Sequence, residues 1–323
     1  MADIQIDPDI TGNDASQSNR IGPIWTSPTV AYLICASATA VTYRKTTDGG
    51  QTWGASVTIG SGLAVGGPDC WYDQWTPGDT GTLIHVVFSV TANFDVIYRS
   101  LDTATDTLGT AYVVQPFASG SGVGMLSIVK ARGGNLYVSG YSADNLMAFR
   151  RSVDGGVTWT SRAALSFTNN TTKARFEFHP GNEADNQDIW CLMHLNSTTT
   201  LVLKVYDNSA DSWSETTIST GISLNLNKQM AAATRRSDSH MIVVACDAAW
   251  NNTPNVKVWD VASGGIVAKA NVGTMNYLLA VAPLIDEPTG AIYVFYGRGA
   301  TGATDVSQYY RKSTDDGGSC GSE

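Results

Sequence analysis

The sequence predicts an all-β chain, a six-bladed β-propeller of four-stranded antiparallel blades. Three observations carry this: a unit of about 53 residues recurs six times, each copy holds an aspartate turn, and the composition suits short strands joined by tight turns. Hydrophobic residues make up 43% of the 323 positions and charged residues only 15%, with 32 Gly against 10 Pro. Long charged helices are not built from such a mixture.

The repeat shows first in two near copies, TYRKTTDGGQTWG at 42–54 and AFRRSVDGGVTWT at 148–160, whose turn aspartates Asp48 and Asp154 lie 106 residues apart. Half that spacing holds weaker copies. IYRSLD ends at Asp102, LKVYD at Asp207, VKVWD at Asp260 and YYRKSTD at Asp315, so successive turns fall 54, 52, 53, 53 and 55 residues apart. A basic residue stands three or four places before each turn (Arg44, Arg99, Arg150, Lys204, Lys257, Arg311), and this repetition marks these residues as scaffold.

Upstream of every turn strand lies an apolar strand such as VAYLICAS, IWCLMHL or HMIVVACD, and before it another such as GPIWTS, ARFEFH or YLLAVAPL. The unit is therefore strand A, turn, strand B, loop, strand C, aspartate turn, strand D. One domain over 1–323 is expected, with blades near 20–65, 66–118, 119–168, 169–222, 223–272 and 273–323. The last copy, STDDGGSCGSE, stops soon after its turn, and the N-terminal segment ADIQID (residues 2–7) is expected to supply the missing outer strand and close the ring.

A net charge of -9 leaves phosphate neutralisation without a source, which argues against nucleic acid as a partner. No apolar run is long enough to span a bilayer, and no export signal is visible. Membrane insertion is not expected. The five cysteines are scattered with no CxxC pair, and the four histidines lack metal-ligand spacing, so no disulfide framework, metal or cofactor is expected. His85, His179 and His194 fall inside strands, where satisfied core roles suit them.

The pattern Ser/Thr-x-Asp-x-Gly-x-Thr-Trp, complete at Thr46–Trp53 and Ser152–Trp159 and ending in Cys320 instead of Trp in the last copy, is the Asp box. In it the chain resembles the sialidase-like propeller superfamily. Asp48, Trp53, Asp154, Trp159 and Asp315 are structural on this reading: the carboxylate accepts turn N–H groups and the glycines take φ > 0.

The resemblance implies that ligands meet the face opposite these turns, built from the D-to-A and B-to-C loops. It further implies, for a hydrolase, three arginines clamping a substrate carboxylate, a Tyr nucleophile with a Glu, and an Asp acid/base in the first B-to-C loop. NRIGPIW supplies Arg20 near the place of the first arginine, with Gly22 displacing Pro23. Arg175 and Arg298 complete a candidate triad, with Glu177 and Tyr277 or Tyr296 beside them. The loop CASATAVTY contains no carboxylate, so the acid/base position is empty.

Two functions follow. The first is a non-catalytic recognition propeller that meets a glycan or a surface protein through aromatic and amide side chains, the candidates being Asp73, Trp75, Asn93, Asp95, Asp144, Trp250, Asn276 and Tyr277. Such a module fits an extracellular or virion-surface setting, with other virion proteins among its partners, and a cytoplasmic setting stays open. The alternative is an exo-sialidase or related glycoside hydrolase with a diverged site.

Overall fold

The structure of the chain, a computed structural model, describes residues 20, 22–37, 39–63, 67–91, 95–116, 125–140, 146–166, 175–183, 186–195, 199–222, 230–247, 255–274, 278–298 and 307–321. Among the described residues the regular elements are strands, apart from one 3-10 turn at Asp73–Trp75. They form six antiparallel sheets, five of them in the order A-B-C-D expected from the repeat and the sixth in the order A-B-C among the described residues. Residues 2–7 lie outside the described residues.

The first compact unit comprises Met1–Trp75, Asp79–Lys130 and Gly134–Ser166. Sheet 1 runs Ile24–Trp25, Ala31–Ala36, Ala40–Thr46, Val57–Ser61; sheet 2 runs Asp69–Tyr72, Leu83–Ser89, Val96–Asp102; sheet 3 runs Leu126–Lys130, Leu136–Gly140, Leu146–Ser152. The outer strands of sheets 2 and 3 are each split in two, at Thr107–Leu108 with Tyr112–Gln115 and at Thr160–Ser161 with Leu165–Ser166. Sheets 1 and 2 share one core built on Ile24, Tyr32, Ile34, Tyr72, Ile84, Val86 and Phe88.

The second unit is Thr76–Gly78, Ala131–Gly133 and Phe167–Glu323. Sheet 4 runs Arg175–Pro180, Ile189–Leu195, Thr200–Asp207, Ser212–Thr220; sheet 5 runs Met230–Thr234, Met241–Cys246, Asn255–Ala262, Gly265–Ala268 with Gly273–Thr274. Among the described residues sheet 6 has three strands, Leu278–Asp286, Ala291–Arg298 and Ser307–Ser313. Every B strand of sheets 4 and 5 is buried along its whole length, whereas the D strand Ser212–Thr220 is mostly open. That gradient explains the continuous apolar runs of the B strands, which pack on both faces instead of alternating.

The repeated basic residues are structural ties. Arg99 donates to the Gly109 carbonyl (2.8 Å) in its own sheet and to Ile59 of the preceding outer strand (2.7 Å). Arg150 reaches Gln115 in the same way (3.1 Å), and Lys204 pairs with Glu215 (2.7 Å).

Three C-to-D turns share one hydrogen-bond pattern. In the first, the Thr46 hydroxyl donates to Asp48 (2.8 Å) and accepts from the Gly50 N–H (3.0 Å), while the Thr52 hydroxyl and N–H both donate to Asp48 (2.6 and 2.9 Å). The turns at Asp154 and Asp315 repeat it, with Ser319 standing for the threonine in the last. Hydroxyl and backbone donors hold all three carboxyls down at about 2.

The turn at Asp154 also docks on sheet 2. Trp159 packs edge-on against Tyr98 with 5.6 Å between centroids, and a Cβ on Gly156 would fall 2.1 Å from the Tyr98 ring, at φ +97. Gly155, at φ +72, has nothing within 4 Å. Gly156→Ala is therefore expected to lose about 2 kcal/mol in urea denaturation, from both backbone strain and ring displacement, and Gly155→Ala about 1 from strain alone. Equal losses would mean that the contact with Tyr98 contributes nothing.

Candidate functional site

The strand register defines two ends for each sheet. In sheet 2, Asp69 pairs with Val87 and Ser89 with Val96 at the end of the B-to-C loop, while Tyr72 pairs with Ile84 and Leu83 with Asp102 at the end of the aspartate turn.

At the loop end of the first unit stands Arg20. Its guanidinium grips Asp69 with two nitrogens (Nε 3.2 Å, Nη2 2.7 Å), its own N–H donates to the same carboxylate (2.9 Å), and Nη2 continues to Ser127 Oγ (3.1 Å) and the Ile128 carbonyl (2.9 Å). Asp69 is wholly buried and also accepts the Ile128 N–H (2.8 Å). Trp71 lies under the guanidinium at 4.7 Å. Arg20 thus ties the inner strands of sheets 2 and 3 together. Asp69 supplies a counter-charge to this guanidinium and engages two of its three nitrogens.

Asp73 and Trp75, expected in the ligand-facing loops, sit at the opposite end, because strand A of sheet 2 stops at Tyr72 and the 3-10 turn follows it. Trp75 packs edge-on against Trp71 (5.7 Å) and Tyr72 (6.4 Å). Asp73, 2% exposed, accepts from Lys130 (2.7 Å) and the Leu83 N–H (2.9 Å) and meets His85 Nε2 at 2.9 Å; His85 Nδ1 meets the Tyr98 hydroxyl at 2.7 Å. Asp95 does occupy the B-to-C end, where its carbonyl accepts from Val90 (3.0 Å). Asn93, Asp144, Trp250, Asn276 and Tyr277 lie outside the described residues.

In the second unit Arg175, Glu177 and His179 share one face of the inner strand of sheet 4, with Phe176 and Phe178 on the other. Burial pushes the Arg175 guanidinium down to about 10. His179 spans Glu177 (3.1 Å) and Thr234 (3.0 Å), so Glu177 is part of a buried polar row. His194, across from Arg175, donates to the Ile222 carbonyl (2.8 Å), and burial, with the charge of Arg175, holds its pKa low. Arg298 ends the middle strand of sheet 6, and Tyr296 is buried against Tyr309 (6.0 Å, 19°). Among the described residues no group of three or more His, Cys, Asp or Glu is placed to hold a metal ion, and no helix is long and apolar enough to cross a membrane.

The second unit also holds a cleft of about 280 Å³ between the face of sheet 4 that packs toward sheet 5 and the C-to-D hairpin of sheet 5, at the aspartate-turn end and not at the B-to-C end that the resemblance implied. Its floor is Trp190, Leu203, Val205 and Ile266, and its rim is Asn182, Glu183, Asn186, Asp188, Thr216 and Ser263. The rim is internally organised. The Asn186 amide donates to Glu183 (3.2 Å) and Asp188 (2.9 Å), Asp188 accepts the Asn208 N–H (2.7 Å), and Asn182 donates to the Ser239 carbonyl (3.3 Å). An apolar floor under fixed polar groups is the makeup of a small-molecule site.

None of these rim residues stands out in the sequence, although GNEADNQDIW packs amides and acids densely just before a strand. Asp69 escapes a sequence reading as well, since nothing local in GGPDCWY announces a partner 49 residues away.

No family model matches the chain, and no curated protein sequence matches it. Solved structures do. The BP39L lectin from Burkholderia pseudomallei is similar over 93% of this chain and 80% of its own, at 13% identity and a TM-score of 0.64. The NanB sialidase from Streptococcus pneumoniae is similar over 95% of this chain and 70% of its own (11% identity, TM-score 0.57), and an ulvan lyase over 94% and 84% (11% identity, TM-score 0.56). Across such low identities the likeness is one of fold: the chain is an all-β, six-bladed β-propeller of four-stranded antiparallel blades, as the repeat implied.

Proposed function

We propose that the chain is a glycan-recognising propeller that binds without hydrolysing. The observation that carries this is the cleft on sheet 4, where an aromatic and aliphatic floor meets a rim of amides, hydroxyls and carboxylates, the combination that seats the C–H face and the hydroxyls of a sugar. The commitment of Arg20 to Asp69 and the lack of a carboxylate in the first B-to-C loop speak against the clamp and acid/base that hydrolysis of a sialoside requires. The fold likeness to a lectin agrees with binding, and the likeness to a sialidase and a lyase keeps carbohydrate as the common ligand class.

The test is a glycan array with the purified protein, followed by calorimetry on the hits, beside a fluorogenic sialoside assay. Binding to an array glycan is expected, and Thr216→Trp, which fills the cleft from an exposed outer-strand position, should weaken it by more than about ten-fold with an unchanged melting temperature. Sialoside turnover abolished by Arg175→Ala would instead establish the hydrolase.

A further inference from the structure

We propose that the sugar seated in this cleft carries a protonated amine. The inference rests on the cleft being the glycan site and adds the chemistry of its ligand. Two side chains of the rim are ionisable, Glu183 and Asp188, and both are acids; among the described residues no Lys, Arg or His lines the cavity. A uronic or sialic acid entering it would bring like charge against those carboxylates and gain no counter-charge. An ammonium group is complementary to them, as it is to a chain of net charge -9.

Geometry limits the ligand further. The Asn186 amide lies between the two acids and bonds one oxygen of each, which keeps both carboxylates at one side of the rim. The volume of about 280 Å³ lies at the small end of ligand pockets, which fits one ring and not a chain of them. The half-buried Val205 and Ile266 take the apolar face of that ring, with the core residues Trp190 and Leu203 beneath them, and the amine points to the acidic side. Glu183 is exposed, so its contribution is that of a solvent-screened pair.

The experiment measures binding of three probes by calorimetry at low and high salt: a β-1,4-linked glucosamine tetramer, its fully N-acetylated counterpart and a tetragalacturonate. The expected result is that the glucosamine tetramer binds about two- to five-fold more tightly than the acetylated one, and the galacturonate not at all. Glu183→Gln should reduce that preference, and so should raised salt, without a change in melting temperature. Equal binding of the amine and its acetamide, or a preference that survives Glu183→Gln undiminished, overturns the proposal. If neutral sugars bind and Thr216→Trp abolishes it, the inference fails while the cleft remains the glycan site. If no carbohydrate on the array binds in a Thr216→Trp-sensitive way, both fail.

Discussion

Asp69→Ala is expected to lower stability by about 4 kcal/mol, because it strands a buried charge. The carboxylate is fully buried and accepts four hydrogen bonds, three from Arg20 and one from the Ile128 N–H. Its removal takes the Asp69 charge from a guanidinium that is only 15% exposed and the acceptor from a buried backbone donor. Breaking one side of a buried pair costs about 3–5 kcal/mol, mostly through the charge left behind. The double change Arg20→Met with Asp69→Leu removes both charges and should recover a good part of that loss. Urea denaturation followed through tryptophan emission reports on the site directly, since Trp71 lies under the guanidinium. If Asp69→Ala unfolds at the wild-type urea concentration, Arg20 is free for other duties and the argument against a carboxylate clamp fails with it.

Asp73→Ala follows at about 3 kcal/mol at neutral pH, because His85 and Lys130 both lose a buried acceptor. The same carboxyl carries a pH signature. Burial by itself would raise its pKa, but the hydrogen bond and charge of His85, then Lys130 and the Leu83 N–H, outweigh burial and hold it at about 2. A carboxyl depressed in the folded state contributes stability that is complete above its unfolded pKa near 4 and vanishes as pH falls through the folded value. Wild-type stability should therefore decline between about pH 4 and 2 by roughly 1–2 kcal/mol more than that of Asp73→Asn. Parallel acid limbs for the two proteins would show that Asp73 is not held down by its partners.

The fold was legible because the repeat supplied phase. Once Asp48 and Asp154 set the spacing, each unit's inner strand is placed by position even where its own pattern is weak, as at Leu126–Lys130 and Met230–Thr234. The site was less legible for two physical reasons. Asp73 and Trp75 read as ligand-facing because acidic and aromatic side chains suit a binding loop, yet Trp75 serves packing, and only the register of sheet 2 reveals that the strand ends at Tyr72 and turns both away from the B-to-C end. Charge compensation is non-local: the sequence near Arg20 resembles a clamp, while the residue that neutralises it belongs to the next repeat. The scaffold basic residues could be separated from site candidates because repetition itself labels them, and Arg99 and Arg150 do bond the neighbouring outer strands.

The three aspartate turns differ in their aromatic residue, since Trp53 and Trp159 are matched in the last by Cys320, yet the hydroxyl, carboxylate and amide contacts are the same in all. Each tip therefore closes on itself within about seven residues, whichever residue stands at the aromatic position. A protease needs several consecutive residues in extended, unbonded form. In these turns the amides of Gly50, Thr52, Gly156, Thr158, Gly317 and Ser319 are already taken by side-chain oxygens, so the turns are poor places to cut the chain.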